Sequence, residues 1–420
     1  MEENMKDISH LYEGLYGKNY NKEDMDARFE HLLKEHEKEF GKKDNVALFS
    51  TAGRTELAGN HTDHNLGLVI TGTINLDTIA AVSLRADSRV ILKSEGFPVD
   101  DVDISDLSIK EEEKNTTSSL IRGIADAFTK RGLKVGGFEA NTTTRVLKGS
   151  GLSSSAAIEV LIAEIFNNLF NNDALSPIEL AKISQYAENV YFGKPSGLMD
   201  QIGCANGGIV GIDFEDAKNP KVKALDVNFK DYGYNLVIVD TKGNHADLTH
   251  EYAAVPTEMK RVAAYFGKSV LRDVSLNEFI KALPEARKAV NNDRALLRAY
   301  HYLTENQRVN DMLEALENKD FDSYLKGVQE SGNSSFRFLQ NVYAASAPQE
   351  QGLSIGIAIS EAILKDKGVV RVHGGGFAGT IQAYVPDDIL DEYITQMDNL
   401  FGKGASTLLS IRSLPTCRLC

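Results

Sequence analysis

Short β-branched runs broken by polar or Gly residues, Val46 to Ser50, Leu68 to Ile74, Thr78 to Leu84 and Val90 to Lys93, predict strands in the first part of the chain. Ahead of them, Met25 to Phe40 sets Phe29, Leu32 and Leu33 among charged residues, the pattern of an amphipathic helix with a solvated face. From Ser118 to Lys130 and from Ser153 to Phe170 the apolar spacing becomes helical, and the second segment is apolar nearly all round, as a core helix requires. Ser176-Pro-Ile-Glu179 predicts the start of another helix, with Ser176 as N-cap, Pro177 at the first position and Glu179 closing a capping box.

The stretch Asp213 to Asn228, rich in Asp, Lys and Asn and containing Pro220, is the best candidate boundary. Beyond it, Leu236 to Asp240 predicts a strand, Glu251 to Lys365 is predominantly helical, and Val369 to Val385 has a hairpin pattern. At 420 residues the chain exceeds one ordinary core. We therefore expect an α+β protein of two lobes, residues 1–215 and 216–420, with a ligand cleft between them and a tail that can return to the N-terminal lobe. No internal repeat, heptad or low-complexity tract alters that reading.

Composition adds limits. Apolar residues make up 42% and charged residues 25%, the ordinary soluble mix, so disorder is expected only at the N-terminus. A net charge of −14 opposes non-specific binding to nucleic acid or to an anionic membrane. An anionic ligand must then be held locally, by backbone amides, a metal ion or a few placed cations. The three cysteines, Cys204, Cys417 and Cys420, form no disulfide framework and suit a reducing compartment. Cys417-x-x-Cys420 has no second pair to complete a metal site, so both read as incidental tail residues. With no apolar run after the N-terminus and none of the roughly 18 residues a membrane span needs, the expected location is the cytoplasm. Nothing in the pattern demands an oligomer, and a monomer is a workable expectation.

Three loops carry candidate chemistry. Gly149-Ser-Gly-Leu-Ser-Ser-Ser-Ala-Ala157 opens onto a long helix; it is either an ordinary capped helix or an anion site built from free amides and the positive helix end. No Walker-type Gly-x-x-x-x-Gly-Lys-Ser/Thr occurs. Gly374-Gly-Gly-Phe-Ala-Gly379 contains a formal Gly-x-Gly-x-x-Gly, but strand-like residues flank it on both sides, which makes it a hairpin turn and not a dinucleotide fingerprint. Gly53 to Asn65 gathers Arg54, Asn60, His61 and Asp63, a donor and acceptor set that suits a polyol or merely a polar surface. His61, Asp63 and His64 would suit zinc on a helix, but the segment reads as a loop.

These three segments, in this order, resemble the three motifs of the GHMP small-molecule kinases, and the earliest resembles the galactokinase signature; the resemblance runs from about Val46 to Val385. Gly197-Leu-Met-Asp200 resembles the family segment with the catalytic aspartate, Ala187-Glu188 the one with a magnesium ligand, and Glu251-Tyr252 the sugar-side tyrosine region. The resemblance implies an N-terminal lobe of the ribosomal-protein-like α+β kind, a ferredoxin-like C-terminal lobe, and transfer of phosphate from ATP to the C1 hydroxyl of galactose. It implies Asp200 and Arg54 as catalytic residues, Asn60, His61, Asp63, Asp200 and Tyr252 on the sugar, and Mg²⁺ on Ser155 and Glu188. Gly149, Gly151, Ser153, Ser154 and Ser155 would line the phosphates, with Gly375 and Gly376 closing from the other lobe. An Arg beside Asp200 would weaken it as a base, favouring orientation and charge stabilisation.

The pattern also departs from the family. Asn60 stands where the family has a Glu that holds the sugar's 6-hydroxyl, exchanging a charge-assisted acceptor for an amide, a difference on the order of 1 kcal/mol. Galactose remains the first reading; galacturonate, whose carboxylate an amide could serve, and arabinose or a 6-deoxy sugar are alternatives. On that reasoning Asn60→Glu is expected to shift preference toward neutral galactose. Leu147, Ala378 and Thr380 replace the family's Pro, Gly and Cys and touch loop stiffness. They leave a sugar-sensing, non-catalytic relative as another class, although Arg54, Ser155, Glu188 and Asp200 are all present.

Overall fold

The computed structural model describes residues 7–147, 149–243 and 248–420; residues 1–6, where the sequence expects disorder, lie outside the described residues. The early β-branched runs assemble into one sheet of β1 (Ala47–Ala58), β2 (Leu68–Leu84), β3 (Arg89–Ser94), β4 (Val99–Asp103) and β5 (Phe138–Thr144), extended by the hairpin β6 (Ile209–Asp213) and β7 (Lys221–Leu225). Two of the expected strands, Leu68 to Ile74 and Thr78 to Leu84, are a single strand. Its first half pairs with β6, its second with β5, and both halves with β1. The polar residue that suggested a break, Asp77, is buried and held in place: its carboxylate accepts from Arg28 at 2.5 Å, Ser50 at 2.6 Å and Tyr16 at 3.0 Å. Those bonds outweigh its burial and keep the carboxyl below the ordinary range.

On one face of this sheet lie the helices Thr117–Lys130, Ser154–Asn171 and Pro177–Tyr186. Phe49, Val82 and Val90 of the strands pack there with Ile124, Phe128, Ile165 and Phe166. The capping box at Ser176 and Glu179 forms as the sequence implies. The N-terminal helix, Lys22–Phe40, buries Phe29 and Leu32 on a different patch, against Leu48, Ile79 and Ala81.

The second sheet has the order β11 (Ser406–Leu409), β8 (Tyr234–Asp240), β10 (Thr380–Pro386), β9 (Val369–Val372), antiparallel throughout. Helices Gly352–Leu364 and Leu390–Phe401 contribute Leu364, Tyr393 and Met397 to its core. Because β7 pairs with β6, the 215/216 division falls inside a hairpin of the first sheet. The chain also comes back: β12 (Cys417–Arg418) pairs with Phe49 and Ser50 of β1, so Cys417 belongs to the edge of the first sheet and is no loose tail residue.

Helices Asp293–Glu317 and Phe321–Ser334 lie between the sheets, and Val309, Met312, Tyr324 and Val328 share one apolar cluster with Leu57 and Ile70 of the first sheet and with Leu236 and Tyr384 of the second. A polar join crosses the same interface. Arg371 of β9 donates to Glu56 Oε1 at 2.8 Å and to the Leu57 carbonyl at 2.8 Å, and Gln382 of β10 donates to Thr55 Oγ1 at 2.8 Å. The two side chains of the ion pair are 0% and 5% exposed. Removing one partner of a buried pair strands the other charge, so Arg371→Ala is expected to lose about 3–5 kcal/mol, read from the urea midpoint. Adding Glu56→Gln to that variant should recover part of the loss.

Candidate active site

The Gly149 loop and β1 meet because Gly53 lets them. A Cβ there would lie 2.6 Å from the Leu152 carbonyl, which instead accepts the Arg54 amide at 3.1 Å. This close approach brings the Arg54 guanidinium to both the loop and the helix Met199–Ala205. Arg54 donates to Asp200 Oδ1 from Nε at 3.0 Å and from Nη2 at 2.6 Å, and through Nη1 to the Gly151 carbonyl.

Ser153 takes the other carboxylate oxygen, Oδ2, at 2.7 Å. It is the N-cap of helix Ser154–Asn171 yet makes no side-chain cap and sits at φ 60°, a left-handed conformation that costs a non-Gly residue roughly 1–2 kcal/mol. The hydroxyl is given to Asp200, and the helix start keeps its free amides. Gly149 and Gly151, at φ 77° and 70°, curl the loop in front of them, with Ser154 and an exposed Ser155 on the first turn. Burial would raise the Asp200 carboxyl, but Arg54 and the Ser153 bond outweigh it and hold it below the usual carboxylate range. Asp200 is therefore ionised at neutral pH, and a weak base.

Glu188 lies on a π-helical turn, Ala187–Phe192, an irregularity of the kind that aims a side chain out of a regular helix. Its buried carboxylate accepts from Lys194 Nζ at 2.9 Å and Gln201 Nε2 at 2.8 Å. The same Gln201 nitrogen donates to the buried Glu159 at 3.1 Å, while Gln201 Oε1 has no partner. Burial and then the Glu188 charge push the Glu159 carboxyl well above the ordinary carboxylate range.

Opposite, the carbonyls of the glycine hairpin are tied to the loop after β1 and to Tyr252 of the helix Thr249–Tyr265. Asn60 Nδ2 donates to the Gly374 carbonyl at 2.7 Å, His61 Nε2 to Gly375 at 2.9 Å, and the Tyr252 hydroxyl to Gly376 at 2.9 Å. Burial pulls the His61 imidazole down to about 4, so it is neutral and its Nε2 carries the proton that makes this bond. Gly376 is required by its neighbour: at φ 80°, a Cβ would lie 2.0 Å from the Asn341 carbonyl. With the carbonyls turned to this loop, the Gly375 and Gly376 amides donate to no protein acceptor among the described residues. His373, just before the hairpin, bridges Thr55 and Thr380, each at 3.0 Å.

Arg54, Asp200, Ser153 and Gly151 are thus in direct contact, and Asp63 packs against Gly197 of the segment that leads into Asp200, where a Cβ would lie 3.0 Å from its Oδ2. Asn60 is placed differently. It is 0% exposed and uses its whole amide: Nδ2 also donates to Glu56 at 3.1 Å, and Oδ1 accepts from Asn341 at 2.8 Å and Ser335 at 3.2 Å. No valence is left for a sugar hydroxyl. Sequence reasoning missed Ser335, Asn341, His373 and Arg371, which reach this join from distant segments with no local signal, and Glu56, which lies within the Gly53 to Asn65 segment but is marked out only by its pairing with Arg371. Gln201 and Lys194 carried one: Gln201 follows Asp200 directly, and Lys194 is the lone charge in the turn Gly193-Lys-Pro-Ser-Gly197.

The chain matches the family described as "GHMP kinases N terminal domain" over residues 119–208 and the "Galactokinase galactose-binding signature" over residues 34–84. It is 30% identical over 386 residues to a galactokinase of Clostridium tetani, covering 89% of this chain and 92% of that one. A galactokinase of Clostridium acetobutylicum is 31% identical over 377 residues, covering 88% and 91%. Among solved structures, the Lactococcus lactis galactokinase complexed with galactose shares the fold at a TM-score of 0.78, 22% identity and coverage of 93% and 99%. The Methanococcus jannaschii mevalonate kinase does so at 0.62, with 14% identity and coverage of 88% and 99%.

The packing around Asn60 reverses the expectation for Asn60→Glu. A carboxylate there would face Glu56 and the Gly374 carbonyl with no proton to give either. We expect a loss of about 2–4 kcal/mol in thermal melts and activity lowered on every sugar together, in place of a shifted preference.

Proposed function

The chain belongs to the galactokinase family, and on that premise we propose that it phosphorylates galactose with ATP at the anomeric C1 hydroxyl, giving galactose 1-phosphate and ADP. The observation that carries the reading is the position of Asp200, bonded through one oxygen to Arg54 and through the other to Ser153 of the Gly149 loop. A hydroxyl brought to this carboxylate is brought at the same time to the helix start that suits the phosphates.

Asp200 orients the C1 hydroxyl by accepting its hydrogen bond, and takes or passes on the proton as the new O–P bond forms and the bond to ADP breaks. Its depressed pKa fits late proton movement, which a loose phosphoryl-transfer transition state tolerates. Arg54 offsets charge at the transferring group. The amides around Gly149, Gly151, Ser153, Ser154 and Ser155 receive phosphate oxygens, and the free Gly375 and Gly376 amides face them from the hairpin.

For Mg²⁺ the donor set fits. Ser155 and Glu188 offer hard oxygens, the unpartnered Gln201 Oε1 lies in the same cluster, and a cation carried in with a nucleotide needs few protein ligands. Accordingly, no closed cage of three His, Cys, Asp or Glu side chains is needed, and none occurs among the described residues. When bound, the ion would neutralise charge on the phosphates. On the sugar side we assign Asp63, His61 and Tyr252 with Asp200. The amide of Asn60, on which the galacturonate and pentose alternatives rested, is committed inside the protein, and galactose is the reading retained. We place the protein in the cytoplasm; among the described residues no helix is long and apolar enough to cross a membrane.

ADP release with galactose, galacturonate, arabinose, fucose and N-acetylgalactosamine tests the assignment: Mg²⁺-dependent turnover is expected to be highest on galactose. Sugar binding without turnover of any of them would overturn it in favour of a sensor. Asp200→Asn, which keeps the shape but loses the charge, should cut kcat by roughly 10²–10⁴-fold while leaving ATP affinity within a few-fold. A loss below tenfold would remove Asp200 from the reaction.

A further inference from the structure

Lys194 is a cation that the reaction as described does not use. Its backbone is fixed, since its amide donates to the Glu188 carbonyl at 3.1 Å and Gly193 before it turns at φ 88°. Its side chain is 58% exposed, yet the ammonium reaches back to a carboxylate that is 4% exposed, bonding Glu188 Oε1 at 2.9 Å. Glu188 Oε2 is held separately by Gln201, whose other amide atom is an unpartnered buried oxygen. So the inner wall of this cluster is Gln201 with Glu159 behind it, and its cation, Lys194, comes from the solvent side.

That arrangement is odd for a structural ion pair. Arg54 is pinned on Asp200 and Gly151 by three bonds, whereas Lys194 is a flexible point charge with one side-chain bond. A divalent ion carries twice the charge of an ammonium and displaces it from a carboxylate. The ammonium it displaces is then free to pair with the phosphates of the nucleotide that carries the ion.

We propose that Lys194 is a further nucleotide-binding residue, whose ammonium holds Glu188 before nucleotide binds and then passes from that carboxylate to the phosphates as the cation replaces it. The proposal rests on the reading of Glu188 as a cation ligand. It makes two opposite demands on one side chain: Lys194 competes with a bare divalent ion and assists a nucleotide-bound one. A plain salt bridge does only the first.

The test is binding, not turnover. Free Mn²⁺ is followed by its electron paramagnetic resonance signal against the nucleotide-free protein, and a non-hydrolysable ATP analogue with Mg²⁺ is followed by calorimetry. Lys194→Met should bind Mn²⁺ roughly threefold to fivefold more tightly, the worth of a partly exposed ion pair, and the analogue on the order of tenfold more weakly. Lys194→Arg should hold the analogue nearly as wild type does. Analogue affinity unchanged in Lys194→Met, or Mn²⁺ affinity unchanged or weakened, overturns the proposal. Glu188→Gln separates the two layers: if it binds Mn²⁺ as wild type does, the cation reading of Glu188 fails and the proposal with it. If it loses Mn²⁺ while Lys194→Met behaves as wild type, only the role of Lys194 fails.

Discussion

The buried bond between Arg371 and Glu56 is the constraint around which the active site is built. A charge pair taken out of water is tolerated only with close geometry and extra hydrogen bonds, and this one has them: the Leu57 carbonyl on Arg371 and the Asn60 amide on Glu56. Because its partners sit on different sheets, the pair leaves little freedom in how β1 faces β9. Arg54 lies two residues from Glu56 on β1 and His373 two residues from Arg371, so the groups that hold Asp200 and the hairpin inherit that fixed relation. Asn60 extends the same join to Ser335, Asn341 and Gly374.

Around this frame, local stability is given up where the chemistry needs it. Ser153 is the plainest case, a left-handed N-cap whose hydroxyl serves Asp200 and leaves the helix amides without a side-chain cap. Glu188 rides on a π-helical turn, where an ordinary helix would have aimed it elsewhere. The hairpin gives its carbonyls to Asn60, His61 and Tyr252, while its Gly375 and Gly376 amides donate to no acceptor among the described residues. In each instance a polar group is satisfied within the protein so that a neighbouring one stays free for ligand.

Charge follows the same logic. A chain of net charge −14 binds a polyanion by keeping attraction local. On the proposed function, helix-start amides, the pinned Arg54 and Lys194 supply it over a few ångströms, while burial and the neighbouring Glu188 push the Glu159 carboxyl well up. Thr380, which looked like a matter of loop stiffness, ties His373 to the Ser150 carbonyl and so joins hairpin to phosphate loop directly.

The sequence by itself determined what depends on near neighbours: the strands and helices, the capping box at Ser176, the glycine loop opening a helix, the hairpin, and the α+β class. Periodicity, caps and turns act within a few residues, so they are written locally. It also held the residue types of the site, from Arg54 to Asp200. What only the tertiary structure decided were the pairings across hundreds of residues. Two strand patterns merged into β2 because Asp77 found three buried donors; the tail joined β1; and Asn60 was drawn into the join between the sheets. An amide's preference for sugar or protein is set by which acceptors and donors surround it after folding, and three of the four around Asn60 lie 275 to 314 positions away in the chain.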